Sequence, residues 1–139
     1  MSYIVTDPSK TYLGGTAGIT INGANYQNSV LDGSAGNDVL IAGSKNEILI
    51  GGLGDTLTAG SAHDTFLFLP NFGDNTITNF NVHQDVIEFS KSEFANIAAV
   101  LADAHQVGAN TVISYDAHDA VTLNNVAVHD LHAQNFHLV

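Results

Sequence analysis

The stretch GSAGNDVLI at residues 33–41 is followed without interruption by AGSKNEILI (42–50), GGLGDTLT (51–58) and AGSAHDTFL (59–67). Each segment opens on small residues, passes through an acid or amide and closes on an apolar side chain. Written as G-G-x-G-x-D-x-U-x, with U apolar, the first copy supplies Gly33, Gly36, Asp38 and Leu40, and the second Ala42, Gly43, Glu47 and Leu49. The third copy is one residue short before its acid and supplies Gly51, Gly52, Gly54, Asp55 and Leu57; the fourth supplies Gly60, Asp64 and Phe66. The shortening falls in the spacer, so the acid and the apolar position stay in phase. A fixed short period of this kind is the mark of a solenoid, in which each unit buries its apolar residue only by stacking on its neighbours.

The physical logic of the unit is direct. Glycines admit a tight turn with positive φ, so the loop can curl its carbonyl oxygens inward. The x-U-x segment is a very short strand whose apolar residue enters a narrow core. Two units complete one coil, so unit n stacks on unit n+2 and the loops form two columns. Asp38 then lies in register with Asp55, and Glu47 with Asp64. Carboxylates stacked at about 4.8 Å, one strand spacing, repel unless a cation lies among them. Calcium suits such a site, because it takes six to eight oxygens in irregular geometry, whereas magnesium demands a stricter octahedron.

Composition points the same way. Three lysines and no arginine face 14 acids, a formal charge of −11 over 139 residues. Nucleic acid and anionic membrane surfaces are poor partners for such a chain. No apolar run is long enough to span a bilayer, and the N-terminus does not read as an export signal. Cysteine is absent, so disulfides and thiolate metal sites are excluded. The length fits one domain, expected as degenerate coils over 1–32, repeats over 33–67 and a cap over 68–139, with the roll itself over about 15–67. Asn28-Ser29, nine residues ahead of Asn37-Asp38, reads as an older, metal-free coil. The runs TITNF (76–80), DVIEF (85–89), TVISY (111–115), AVTL (120–123) and QNFHLV (134–139) read as strands. The segment 92–107 reads as the one helix, with Phe94, Ile97, Ala98 and Leu101 on an apolar face that His105 borders, Ser90 and Glu93 as its capping box and Gly108 as its stop.

The nonapeptide resembles the calcium-binding repeat of the RTX family, bacterial proteins exported by type I secretion. AHDTFLF, FGDNTITNFNVHQDVIEFS, GANTVISYDAHDAVTLNNV and the terminal QNFHLV resemble the segments that close the array in that family, so the likeness covers about 31–139. It implies a mainly β fold, a right-handed parallel β-roll or β-solenoid, with a β-rich C-terminal cap carrying one helix. It implies calcium as the cofactor, a secreted and extracellular location, the type I secretion apparatus as a partner, and a non-catalytic module trailing a larger hydrolase, lyase or epimerase. Carried onto this chain, the better metal site comprises Asp38 and Asp55 with the carbonyls of Gly33, Ala35, Gly51 and Leu53. A weaker one comprises Glu47 and Asp64 with Ala42 and Ser44. Lys45 in place of a loop glycine, Glu47 in place of aspartate, and Ala62 and His63 in the fourth copy all depart from the pattern and weaken that second column.

Three other readings stand beside this one. The array is a metal-free structural solenoid whose Asn and Asp side chains satisfy turn backbones. Or the module binds a polysaccharide or cell surface, with Tyr3, Tyr12, Tyr26 and Tyr115 as stacking residues in a chain without tryptophan. Seven histidines, with His129 and His132 three apart, raise zinc, but no HExxH accompanies them. No nucleophile elbow, P-loop or catalytic cysteine is present, and paired carboxylates across a groove are not expected in a narrow roll, so an enzyme is not the expectation.

Overall fold

In the computed structural model, residues 2–4, 11–14, 18–25, 27–44 and 46–139 are described; the expectations placed on Lys45 and Tyr26 lie outside them. The chain alternates between two sheets, strand by strand. One carries β1 (Ser2–Ile4), β3 (Thr20–Asn22), β5 (Val39–Ile41), β7 (Thr56–Thr58) and β9 (Asp74–Thr78); the other carries β2 (Thr11–Leu13), β4 (Val30–Asp32), β6 (Ile48–Gly51), β8 (Thr65–Phe68) and β10 (Val86–Phe89). Within each sheet these neighbours are parallel, as a coil with two strands per turn requires. The molecule is a parallel β-roll, mainly β.

Register explains why the shortened third repeat is harmless. Leu40 pairs with Leu57 in one sheet and Leu49 with Phe66 in the other, so the missing residue is removed from both columns alike. The inward positions form two apolar files: Ile21, Leu40, Leu57 and Ile77 on one wall, Leu31, Leu49, Phe66, Ile87 and Phe136 on the other, all fully buried. Burying each such side chain contributes about 1.5–3 kcal/mol. The internal stripe expected from Leu40, Leu49, Leu57 and Phe66 is therefore present.

Parallel pairing starts at β1, ahead of residue 15, and does not stop at residue 67. After β10 come the short helix α1 (Ile97–Ala102) and an antiparallel meander of β11 (Ala104–Val107), β12 (Asn110–Ser114) and β13 (Ala120–Leu123). β13 returns parallel beside β9, and β14 (Phe136–Leu138) beside β10, so the C-terminal region extends both sheets. Phe68, Phe72, Phe89 and Phe94 fill this end, with ring centroids 4.9–5.8 Å apart.

The helix is shorter than its periodicity predicts. It is capped by Asn96, whose side chain accepts the Ala99 N–H at 2.9 Å, while Ser90 bonds Ser92 instead of opening a capping box with Glu93. Residues 104–107 pair with β12, so tertiary hydrogen bonding overrides the helical pattern there. His105 consequently lies on an exposed strand, and Gly108, at φ +60°, turns a hairpin and does not end the helix.

Candidate metal centre

The coil brings the expected acids together. In the first column the Asp38 N–H donates to Asp55 Oδ1 at 2.6 Å, and Gly52 N–H to Asp55 Oδ2 at 2.9 Å. One level earlier, Ile19 N–H donates to Asp38 Oδ1 at 2.8 Å, while Asp38 Oδ2 is enclosed and has no hydrogen-bond partner among the described residues. Gly33 stands where a Cβ would run into the Asp55 carboxylate, and Gly14 where one would run into that of Asp38, so these two glycines make room for the acids. Leu53 and Gly54 both take positive φ, at 40° and 95°, and fold the loop over the column. Among the described residues the carbonyls of Ala35 and Leu53 accept no backbone hydrogen bond. Gly33 and Gly51 are buried beside these loops.

The second column is closed more tightly by its own bonds. Glu47 N–H donates to Asp64 Oδ1 at 3.2 Å and Gly60 N–H to Asp64 Oδ2 at 2.8 Å. Ala42 N–H reaches Thr58 O at 2.9 Å, Ser61 N–H reaches Gly43 O at 3.2 Å, and the Ser61 hydroxyl donates to the Ser44 carbonyl at 2.8 Å. Both carboxylate oxygens of Glu47 are buried beside Asp64, and neither has a hydrogen bond of good geometry among the described residues.

The ladder continues through residues that the nine-residue count passes over. Asn75 Oδ1 accepts the Asp55 N–H at 3.1 Å, and its amide donates to Phe72 O at 2.7 Å. Asp85 accepts from Asp64 N–H at 2.9 Å and Asn81 N–H at 2.8 Å. Asp119 accepts the Gly73 N–H at 2.6 Å, and Asn135 closes the second column by donating to Val82 O at 2.8 Å. The sequence signal was there in Asn75-x-Ile77, Asp85-x-Ile87 and Asp119-x-Val121, each an acid or amide two residues before a buried aliphatic. Asn28-Ser29 also belongs to the array: Ser29 is buried, its carbonyl accepts the Ile48 N–H at 3.0 Å, and Asn46 donates to Asn28 at 3.2 Å.

Asp38, Glu47, Asp55, Asp64 and Asp85 are each 1–2 % exposed. Burial, which disfavours the charged form, raises all five. Asp55 is pushed up to about 7 and Asp85 to about 6 against the pull of their backbone N–H partners. Glu47 reaches about 8, through burial and then the adjacent Asp64. Asp38 and Asp64 move in the same direction, Asp38 with a further push from Asp32, an acid not singled out by the repeat. A buried carboxylate needs a partner of opposite charge or a metal, and among the described residues no lysine pairs with either column. The donor set is all oxygen, acidic, and includes the unpartnered Oδ2 of Asp38. Such donors are of the type a hard divalent cation prefers, but among the described residues no three acidic or histidine side chains converge on one point, so loop carbonyls would have to complete a site.

His129 lies 3.4 Å from Asp130 on the exposed surface, and His132 caps the 3-10 turn Ala133–Asn135, so the two histidines do not converge. Tyr115 packs edge-on against Phe94 at 5.3 Å.

No protein-family model matches the chain, and no curated protein matches it. Among solved structures the fold is similar to that of the extracellular lipase LipA from Serratia marcescens, with a TM-score of 0.70 and 26% identity. The match covers 93% of this chain and 21% of the lipase chain, so the chain spans about a fifth of that protein's length.

Proposed function

We propose that this β-roll is a calcium-responsive, non-catalytic folding module of the RTX kind, serving a larger protein that leaves the cell by type I secretion. The observation that carries this reading is the first column: Asp38 and Asp55 buried in register and, among the described residues, one oxygen of Asp38 unpartnered and no cationic side chain paired with either acid. Likeness to an extracellular lipase supports an extracellular setting. At low calcium the charged acids oppose the stacking of coils, which keeps the array loose enough to be threaded out. At the calcium levels at which extracellular modules bind, with Kd of about 10⁻⁴–10⁻³ M, binding adds to the folding free energy because the unfolded chain holds no site. Asp38 and Asp55 supply carboxylate oxygens; Gly33, Ala35, Gly51 and Leu53 supply the loop carbonyls.

The second column favours a different role. Both oxygens of Asp64 and of Asp85 already accept backbone N–H groups, and the Ser44 carbonyl is engaged by Ser61. There Asp64 and Asp85 act as turn-satisfying side chains, as in a metal-free solenoid, while burial and the adjacent Asp64 raise Glu47 to about 8 and favour its neutral form at pH 7. Calorimetric calcium titration, followed in parallel by far-UV circular dichroism, tests the assignment. Asp38→Asn with Asp55→Asn keeps an acceptor at each position, as Asn75 does one coil on, and should abolish saturable binding. A wild-type chain that is fully folded in chelator and indifferent to millimolar calcium would leave the metal-free solenoid as the correct reading.

A further inference from the structure

The regular coils stack their turns through direct hydrogen bonds, such as Ala42 N–H to Thr58 O and Ala59 N–H to Thr78 O, both at 2.9 Å. Where the turn leaving β9 meets the turn leaving β13 the first such bond is kept, Asn124 N–H to Ile77 O at 3.0 Å, and the two turns separate beyond it. The intervening meander brings β13 beside β9, and the long return from Asn124 to β14 carries two 3-10 turns that hold it away from the level below. The result is an open cavity of about 490 Å³, within the usual range for small-molecule sites. Its floor is apolar, from buried Phe80 and Val126, and its rim is polar, from Asn79, Asn124, Asn125 and Asp130.

Asparagines elsewhere in the roll are mostly committed to turns and caps: Asn75, Asn96, Asn110 and Asn135 all spend their side chains on backbone groups. The side chains of Asn79, Asn124 and Asn125 form no hydrogen bond among the described residues, and all three line this one cavity. A primary amide offers two donors and an acceptor, and Asp130 adds acceptors only. Sugar hydroxyls, which donate and accept at once, match that set, and their C–H faces suit the Phe80 and Val126 floor. An anion would meet Asp130 in a chain of net charge −11, a cation would find a single carboxylate, and an apolar ligand would strand the amides.

We infer that this cavity is a binding site for a neutral sugar residue, held by the amides of Asn79, Asn124 and Asn125 with Asp130 accepting from its hydroxyls. The site is independent of the calcium column and stands whether or not that column binds metal. Its open rim admits either a free sugar or one residue of a polysaccharide.

The test is an NMR titration of the intact chain with glucose, galactose, mannose, xylose and N-acetylglucosamine, and with the corresponding neutral trisaccharides, followed at the asparagine side-chain amides. Saturating shifts of Asn79, Asn124 and Asn125 are expected; tighter binding of a trisaccharide than of its monosaccharide identifies a polymer, and equal binding a free sugar. Asn79 and Asn125 sit at φ 63° and 57°, so Asn79→Gly and Asn125→Gly remove the amide without forcing a side chain into that backbone region. With Asn124→Ala, each should weaken binding roughly two- to twelvefold while leaving the circular dichroism spectrum and thermal midpoint at wild-type values. Shifts in none of the three amides, or binding unchanged in the triple variant, would overturn the site.

Discussion

Asp85→Ala and Asp55→Ala are the same substitution one column apart, and the structure assigns them different consequences. Each removes a carboxylate that accepts two N–H groups, those of Asp38 and Gly52 for Asp55, both buried, and those of Asp64, buried, and Asn81, partly buried, for Asp85. An orphaned buried donor costs about 1–3 kcal/mol, so in chelator Asp55→Ala should lose about 2–6 kcal/mol and Asp85→Ala, which orphans one buried donor, about 1–3 kcal/mol. That is a large share of the roughly 5–15 kcal/mol that holds a domain together. Calcium separates the two. With Kd of about 10⁻⁴–10⁻³ M and calcium at about 10 mM, an intact site adds about 1.4–2.7 kcal/mol by linkage. Asp85→Ala should keep that increment; Asp55→Ala should lose it. Urea unfolding followed at 218 nm, a wavelength chosen for β structure, gives all six free energies for wild type and both variants with and without calcium. An equal calcium increment in wild type and Asp55→Ala would refute the metal assignment, and an Asp85→Ala variant as stable as wild type would refute the ladder energetics.

Further outcomes follow from packing and charge. Leu57→Ala, midway along a fully buried file between Leu40 and Ile77, should cost about 2–5 kcal/mol in thermal or urea unfolding. Leu53→Gly should stabilise by up to about 1 kcal/mol, because an exposed leucine at φ 40° gives up left-handed strain without losing burial; a lower urea midpoint would count against it. Glu47, Asp55, Asp85 and Glu93 are held at about 8, 7, 6 and 7, mainly by burial, so the folded state binds their protons more tightly than the unfolded one. Stability in chelator should therefore be greatest near about pH 4 and fall as pH rises through about 6–8, with calcium reducing the fall; a urea midpoint climbing over that range would contradict it.

Much of the roll was legible because its grammar is local. An acid two residues before a buried aliphatic, preceded by small residues, fixes which side chain turns inward and which loop stacks on which. The columns beyond Asp64 were harder to see, because spacing drifts from 17 residues between Asp38 and Asp55 to 20 between Asp55 and Asn75 and 21 between Asp64 and Asp85. A count of nine loses them, although each keeps its aliphatic partner. Asp119, 46 residues from the Gly73 amide it accepts, is placed by the meander and by no repeat at all. The helix failed for a different reason. An apolar spacing of three and four fits Phe94 through Leu101, but Ala104–Val107 has an open strand, β12, to pair with, and sequence periodicity contains no information about that partner. The cavity was invisible for the same reason, since Asn79 and Asn125 meet only because β13 lies beside β9.

The distribution of rings along the roll has its own consequence. Phe66, Phe68, Phe72, Phe80, Phe89 and Phe94 crowd the levels from β8 onward, whereas the levels before it stack on single aliphatics such as Ile21, Leu31 and Leu40. In a one-dimensional stack each level is supported only by its neighbours, so the densely packed aromatic end is expected to form first and the rest to grow from it like a zipper. Assembly should then run from the last coils toward the first, and hydrogen exchange should be slowest at the aromatic end and quicken level by level toward the first coils. Because each new strand closes a loop of only some 17–20 residues onto the one before, as in the Asp38–Asp55 and Asp55–Asn75 steps, no long-range search interrupts that growth once the nucleus exists.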